Sequence, residues 1–411
     1  MATGFMLSIV VVFHALAPKL RPIAASEHFV TPGDWVRFRF SGEPGDRALL
    51  LGVSVLMAVA LSNFLFAQLK AMGELAEQFT GGVIPYEWGV VLLAGMILFY
   101  ETLGGMRAVA WTDAFQGVLM MVGLGALLHW LLADAGGLGS LTNEILAVRP
   151  GAADVPDARE QVNWLSTIIL MGFASVVYPQ AIQRIYAARS ARVLRQSLAL
   201  MTFMPLTTTL VVTLIGLAAI ARFHGLGDVE ADRVMPLLLG EWASEGLGFS
   251  IAAMVVFLGA LAAIMSTADS VLLSLGSVVA EDLFGRSHRD ADTTRFGKRI
   301  AAALMIGMAL LAIGARNVTL WGVIELKMEL LIQCVPVFLI AIHWPRFRAR
   351  PALLGLAIGV GIVLVGLALD SKRIFGIHIG VIGLAVNAAV GCIGSLSRWP
   401  GSPPQRGLHL E

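Results

Sequence analysis

A chain of 411 residues that is 57% hydrophobic and 14% charged, with a mean hydropathy of +0.80, carries more apolar surface than a water-soluble domain can hide. The composition therefore excludes a soluble fold and leaves a membrane protein with no separate soluble domain. A net charge of +1, with basic residues parcelled into short loops, gives no patch for a nucleic acid.

A helix needs about 20 apolar residues to cross a bilayer. Such runs predict an all-α, polytopic, single-domain protein with spans at 1–16, 48–78, 86–103, 112–133, 163–183, 198–221, 246–279, 297–314, 318–342, 351–369 and 377–396. If the 17–47 connection faces the cytoplasm, one set of alternate loops holds 20 Lys and Arg and the other 7. That positive-inside bias places the C-terminus in the cytoplasm and the chain in the inner membrane. The first run lacks the basic n-region and cleavage site of a signal peptide and begins on the outer side, so an upstream helix is expected to precede it. Amphipathic stretches at 26–42 and 231–246 suit the membrane surface or a vestibule. Cys334 and Cys392 lie in apolar runs without metal-ligand spacing, so neither a disulfide nor zinc is indicated.

Polar groups inside spans carry the functional signal, because each is costly in hydrocarbon unless paired or wet. In "LGGMRAVAWTDAFQG" (103–117), Asp113 reads either as a helix-start acid or as part of an ion path. In "GFASVVYPQAIQRIYAARS" (172–190), Pro179 breaks the hydrogen-bond ladder beside Tyr178 and Gln180, the kind of discontinuity at which secondary transporters bind solutes; a plain kink is the alternative. In "AAIMSTADS" (262–270), the hydroxyls of Ser266 and Thr267 project beside the Ala263 carbonyl. A single such hydroxyl ordinarily bonds back to the carbonyl four residues earlier. Two of them with a partly freed carbonyl are hard neutral ligands suited to dehydrated Na⁺, and Asp269 adds a charge that a nearby cation or second cation would offset. In "GVIELKMELLIQCVPVF" (322–338), Glu325, Lys327 and Glu329 face a cavity or one another, with the two acids on one face.

These segments resemble the sodium:solute symporter family, which includes the sodium/proline, sodium/pantothenate and sodium/glucose carriers. "GGMRAVAWTDAFQ" is similar to the signature before its fifth core helix, "YPQAIQRIYAARS" to its sixth and "AAIMSTADSVLLSLGSVVAEDLF" to its eighth, while "WPRFRARPALLG" and "HIGVIGLAVN" resemble its closing helices. The resemblance implies a LeuT-type inverted five-helix repeat with extra C-terminal helices, working by alternating access. By the same resemblance Ala263, Ser266 and Thr267 fall on sodium ligands, Asp113 on an acid near the inner sodium route, Tyr178 and Gln180 on substrate-facing positions, and Glu325 to Glu329 where the tenth core helix lines the pocket. Its first core helix has no counterpart among the predicted spans, so the chain reads as N-terminally truncated.

The expected function is sodium-coupled import of a small organic solute of the amino acid, carboxylate or sugar class, with Na⁺ as the only metal and no cofactor. A transporter-like sensory domain and a non-transporting remnant of a symporter are the alternatives. No nucleophile with an adjacent base, metal cluster or phosphate loop points to an enzyme.

Overall fold

Glycine and alanine decide how closely these helices approach one another. In the computed structural model, which describes residues 2–223, 231–285 and 291–397 (side chains at 2, 3, 5, 100–113, 204–207 and 291–294 excepted), the long elements are helices. In chain order they are α1 (Ala2–Glu27), α2 (Pro32–Phe40), α3 (Asp46–Phe79), α4 (Tyr86–Asp134), α5 (Leu138–Val148), α6 (Ala158–Val176) and α7 (Pro179–Ala187). The second half holds α8 (Ala191–Arg222), α9 (Val234–Ser244), α10 (Leu247–Ser277), α11 (Ala291–Gly314), α12 (Leu320–Leu331), α13 (Ala349–Ala368) and α14 (Ile379–Leu396). Where α13 meets α14, a Cβ on Gly359 would sit 3.0 Å from the Gly383 carbonyl, and one on Gly383 2.9 Å from that of Gly359. Any larger residue would push the two backbones apart.

Among the described residues, eight helices are long and apolar enough to cross a membrane, and a ninth crossing is the bent pair α6–α7. α12 falls outside that set: it has 12 residues and carries Glu325, Lys327 and Glu329. It continues as a 3₁₀ turn (Ile332–Cys334) and a π turn (Pro336–Ile340), because Pro336 has no N–H to give to the α-helical ladder. Where the sequence reading set spans at 86–103 and 112–133, the structure runs a single 49-residue helix. No proline lies between them, and a glycine pair weakens a helix without removing its hydrogen bonds. At about 1.5 Å per residue that rod is about 73 Å long, more than twice the hydrocarbon thickness.

Among the described residues, three large apolar cores follow from this order. One joins α1, α2, α6, α7 and the 328–342 segment; a second joins α3, α4, α10 and α11; a third holds α9, where Trp242 stacks on Trp130 at 5.3 Å. Between α13 and α14 a two-residue ladder pairs Arg373–Ile374 with Ile377–His378. Its turn residues Phe375 and Gly376 both have positive φ (52° and 84°), the requirement of a tight hairpin that follows the natural strand twist.

Candidate functional site

The α6–α7 break builds the site. Tyr178 precedes a proline and is pushed to an extended ψ of 129°, Pro179 opens α7 at its first position, and the two helices bend by 49°. The freed stretch brings Tyr178 and Gln180 to a cavity of about 830 Å³ shared with Ser175, Arg184, Phe64 and Lys327. Pro179 makes the break without lining the cavity. Its walls are mostly apolar, and its charged lining residues, among those described, are the cations Lys327 and Arg184, with no carboxylate.

The Lys327 side chain is 2% exposed. Its Nζ stands 3.5 Å from the centre of the Phe64 ring and 5.0 Å from that of Tyr178, and the two rings lie 5.6 Å apart. Aromatic faces attract an ammonium, but by less than the several kcal/mol that burial of a charge costs. Among the described residues it makes no ion pair.

Glu325 and Glu329 do not join Lys327. Residues two apart on an α-helix point about 200° from each other, so the acids occupy the opposite face of α12. There Arg373 Nη2 donates to Glu325 Oε1 at 2.6 Å, and His378 Nδ1 lies 3.4 Å from Glu325 Oε1 and 3.5 Å from Glu329 Oε1. Neither acid lines the cavity. The expectation of one pocket holding all three charges is thus replaced by two sites on one helix, and the helical period is the reason.

On α10 the Thr267 hydroxyl donates to the Ala263 carbonyl at 2.9 Å, the local bond usual for a helical threonine, while its lone pairs stay available. Ser266 is half-buried beside it, and Asp269 is 2% exposed. Continuing along that helix at intervals of three and four residues, Ser270 accepts from Arg184 Nη2 at 3.1 Å, Ser274 donates to Gln183 Oε1 at 2.6 Å, and Ser277 accepts from Gln183 Nε2 at 3.4 Å. A polar seam therefore joins α7 to α10, and Arg184 belongs both to the seam and to the cavity wall. Asp113 falls on α4, but its side chain lies outside the described residues.

Arg184, Gln183, Ser270 and Ser274 escaped the sequence reading, although serine at 266, 270, 274 and 277 is a helical stripe that signals them. His378 and Arg373 gave no such signal, because they lie some fifty residues from the acids they meet.

The profile of the sodium:solute symporter family matches residues 1–359. The chain belongs to the sodium:solute symporter family. It is a multi-pass, sodium-coupled secondary transporter and not an enzyme. The high-affinity proline transporter PutP of Bacillus subtilis is 26% identical over 360 residues, covering 85% of this chain and 73% of PutP. The osmoregulated proline transporter OpuE of the same organism is 24% identical over 386 residues, covering 93% of this chain and 77% of OpuE. In structure, the chain is similar over its full length to a substrate-bound, outward-open Na⁺-coupled sialic acid symporter, at a TM-score of 0.76 and 18% identity, with 85% of that chain covered. The fold is the LeuT type.

Proposed function

We propose that the α6–α7 cavity binds a small solute bearing a carboxylate on a compact apolar body, of the amino acid class, and that Lys327 receives the carboxylate. The supporting observation is the pairing of a buried ammonium without an ion partner and Arg184 with an otherwise apolar wall. An anionic solute offsets the Lys327 charge, which no ion pair among the described residues offsets, and charge-assisted hydrogen bonds are the strong ones. Tyr178 and Gln180, at the helix break, orient the rest of the solute. The naming of two relatives as proline transporters supports the same class.

Sodium binds at the Ala263 carbonyl and the Ser266 and Thr267 hydroxyls in this reading, with Asp269 and Asp113 on its path or at a second cation. Coupling runs along the α7–α10 seam: an ion that orders α10 sets Ser270 and hence Arg184, so each ligand raises the affinity for the other by the same factor. The distribution of Lys and Arg between loops supports insertion in the inner membrane with a cytoplasmic C-terminus. The inward sodium gradient then drives uptake.

The test is uptake of labelled L-proline and other amino acids into proteoliposomes, with glucose as the uncharged control. Sodium-gradient-dependent accumulation of a carboxylate-bearing solute is the expected result. Accumulation of glucose alone, or uptake indifferent to sodium, overturns the proposal.

A further inference from the structure

The second face of α12 is a buried cluster with no role in the cavity. Glu325, Glu329 and His378 each place one donor atom within 4.8 Å of the others, and their exposures are 3%, 2% and 0%. Arg373 balances one of the two carboxylates through its bond to Glu325. That leaves Glu329 Oε1 and His378 Nδ1, both buried and both without a hydrogen-bond partner, aimed at the same space.

The imidazole is held from behind. His378 Nε2 lies 2.9 Å from Thr167 Oγ1, and that hydroxyl already donates its one proton to the Asn163 carbonyl at 2.8 Å. Nε2–H must therefore be the donor to Thr167, so the neutral ring presents the Nδ1 lone pair to two carboxylates. The Arg373 Nε contact to Nε2, at 3.5 Å, is too long to decide the tautomer against it. His378 is also fixed through its backbone N–H, which donates to Ser166 Oγ at 2.8 Å. A lone pair facing two anionic oxygens in a dry site repels them unless a cation lies between.

Two of the three ligand separations favour a metal over a proton. A protonated Nδ1 would draw a carboxylate to about 2.7–2.9 Å. Here the separations are 3.4 and 3.5 Å, close to the edge of about 3.4 Å of a tetrahedron whose ligands lie about 2.1 Å from a zinc ion. An imidazole nitrogen with two carboxylate oxygens suits a divalent transition metal and not Na⁺, which takes oxygen alone. The Arg373 bond to one ligating carboxylate and the Thr167 bond behind the imidazole are the outer partners such a site uses to hold its ligands.

We propose that Glu325, Glu329 and His378 bind one divalent transition-metal ion of the Zn²⁺ kind, with water at the fourth corner. The metal joins α12 to the 373–378 hairpin and, through Thr167, to α6. No local pattern marks the cluster, because the histidine lies 49 residues beyond the second acid.

The experiment uses the purified full chain in detergent, stripped with chelator, equilibrated with Zn²⁺ or Co²⁺ and washed. The wild type is expected to retain one metal per chain and, with Co²⁺, to show the visible absorption of a four-coordinate ion. His378→Asn and Glu329→Gln each remove retention, and Thr167→Val, which deletes the outer hydrogen bond together with the Thr167–Asn163 bond but leaves all three ligands in place, weakens affinity about 10-fold. The Thr167 variant keeps the test decisive if either ligand variant fails to fold. No stoichiometric retention by the wild type, or retention unchanged in the variants, overturns the proposal. So does a metal-free chain whose His378 is an imidazolium at neutral pH by NMR, since a proton then fills the gap. None of these readouts involves transport, so their failure leaves the solute reading untouched.

Discussion

Two lysines lie inside the apolar body of the protein, and the structure treats them differently. Lys70 on α3 is 0% exposed, and its Nζ lies 3.6 Å from both Glu74 Oε1 and Asp232 Oδ2. Glu74 also accepts from Arg233 and Arg316, each at 3.2 Å, while Asp232 accepts the backbone N–H of Leu320 at 2.9 Å. Lys327, equally deep, has two aromatic faces and a cavity. Burial of a charge must be offset somewhere. For Lys70 the protein supplies the counter-charge and gains a brace between α3, the approach to α9 and the start of α12. For Lys327 it withholds one, and the space beside it has room for a solute. Burial alone thus does not tell a structural charge from a functional one; the partners do.

That contrast can be broken at either end. The largest effect is expected from Glu74→Gln, which leaves Lys70, Arg233 and Arg316 facing one another less one carboxylate. Loss of one partner in a buried ion pair costs about 3–5 kcal/mol, read as a lower unfolding midpoint in detergent, with binding of solute by the remaining folded protein little changed. Lys327→Met reverses the pattern. A charged hydrogen bond is worth about 1.5–3 kcal/mol, so affinity for the carboxylate solute falls about 10- to 100-fold in equilibrium binding. Its melting midpoint stays or rises, because an isosteric apolar chain no longer carries a buried charge. An equal loss of stability in both variants would erase the distinction.

Smaller effects sharpen the link between cavity and ion. Arg184→Gln keeps a hydrogen bond to Ser270 within reach but removes charge from the wall, so solute affinity drops about 10-fold, and the dependence of that affinity on Na⁺ flattens. Thr267→Ala removes one neutral oxygen at a cost of about 1 kcal/mol. The sodium concentration for half-maximal uptake rises about 5-fold, with maximal uptake retained. An unchanged sodium dependence in Thr267→Ala counts against placing the ion on α10.

Much of this was legible in the chain. Apolar runs marked the helices, since hydrocarbon admits little else, and Pro179 marked the break that forms the cavity, because a missing N–H is a local fact. The serine–threonine pair and the family motifs pointed to α10. What escaped was relational. Lys327 shares a span with Glu325 and Glu329, whereas the 100° step per residue separates it from them onto another face. His378 meets Glu329 only once α13 and α14 have packed through Gly359 and Gly383, and no local pattern encodes that pairing. The continuous α4 escaped because the predicted spans stop at 103 and resume at 112, yet a helix with no proline between them keeps its ladder.

The central claim is that Lys327 accepts a solute carboxylate in a sodium-dependent way. The most direct measurement is thermal stabilisation of the purified chain by matched pairs, L-proline against L-prolinamide and other amino acids against their amides, with and without Na⁺. The account expects at least one carboxylate to raise the melting midpoint in sodium, its amide to fail, and Lys327→Met to abolish the difference. Equal stabilisation by acid and amide, or a difference that survives in Lys327→Met, would contradict it.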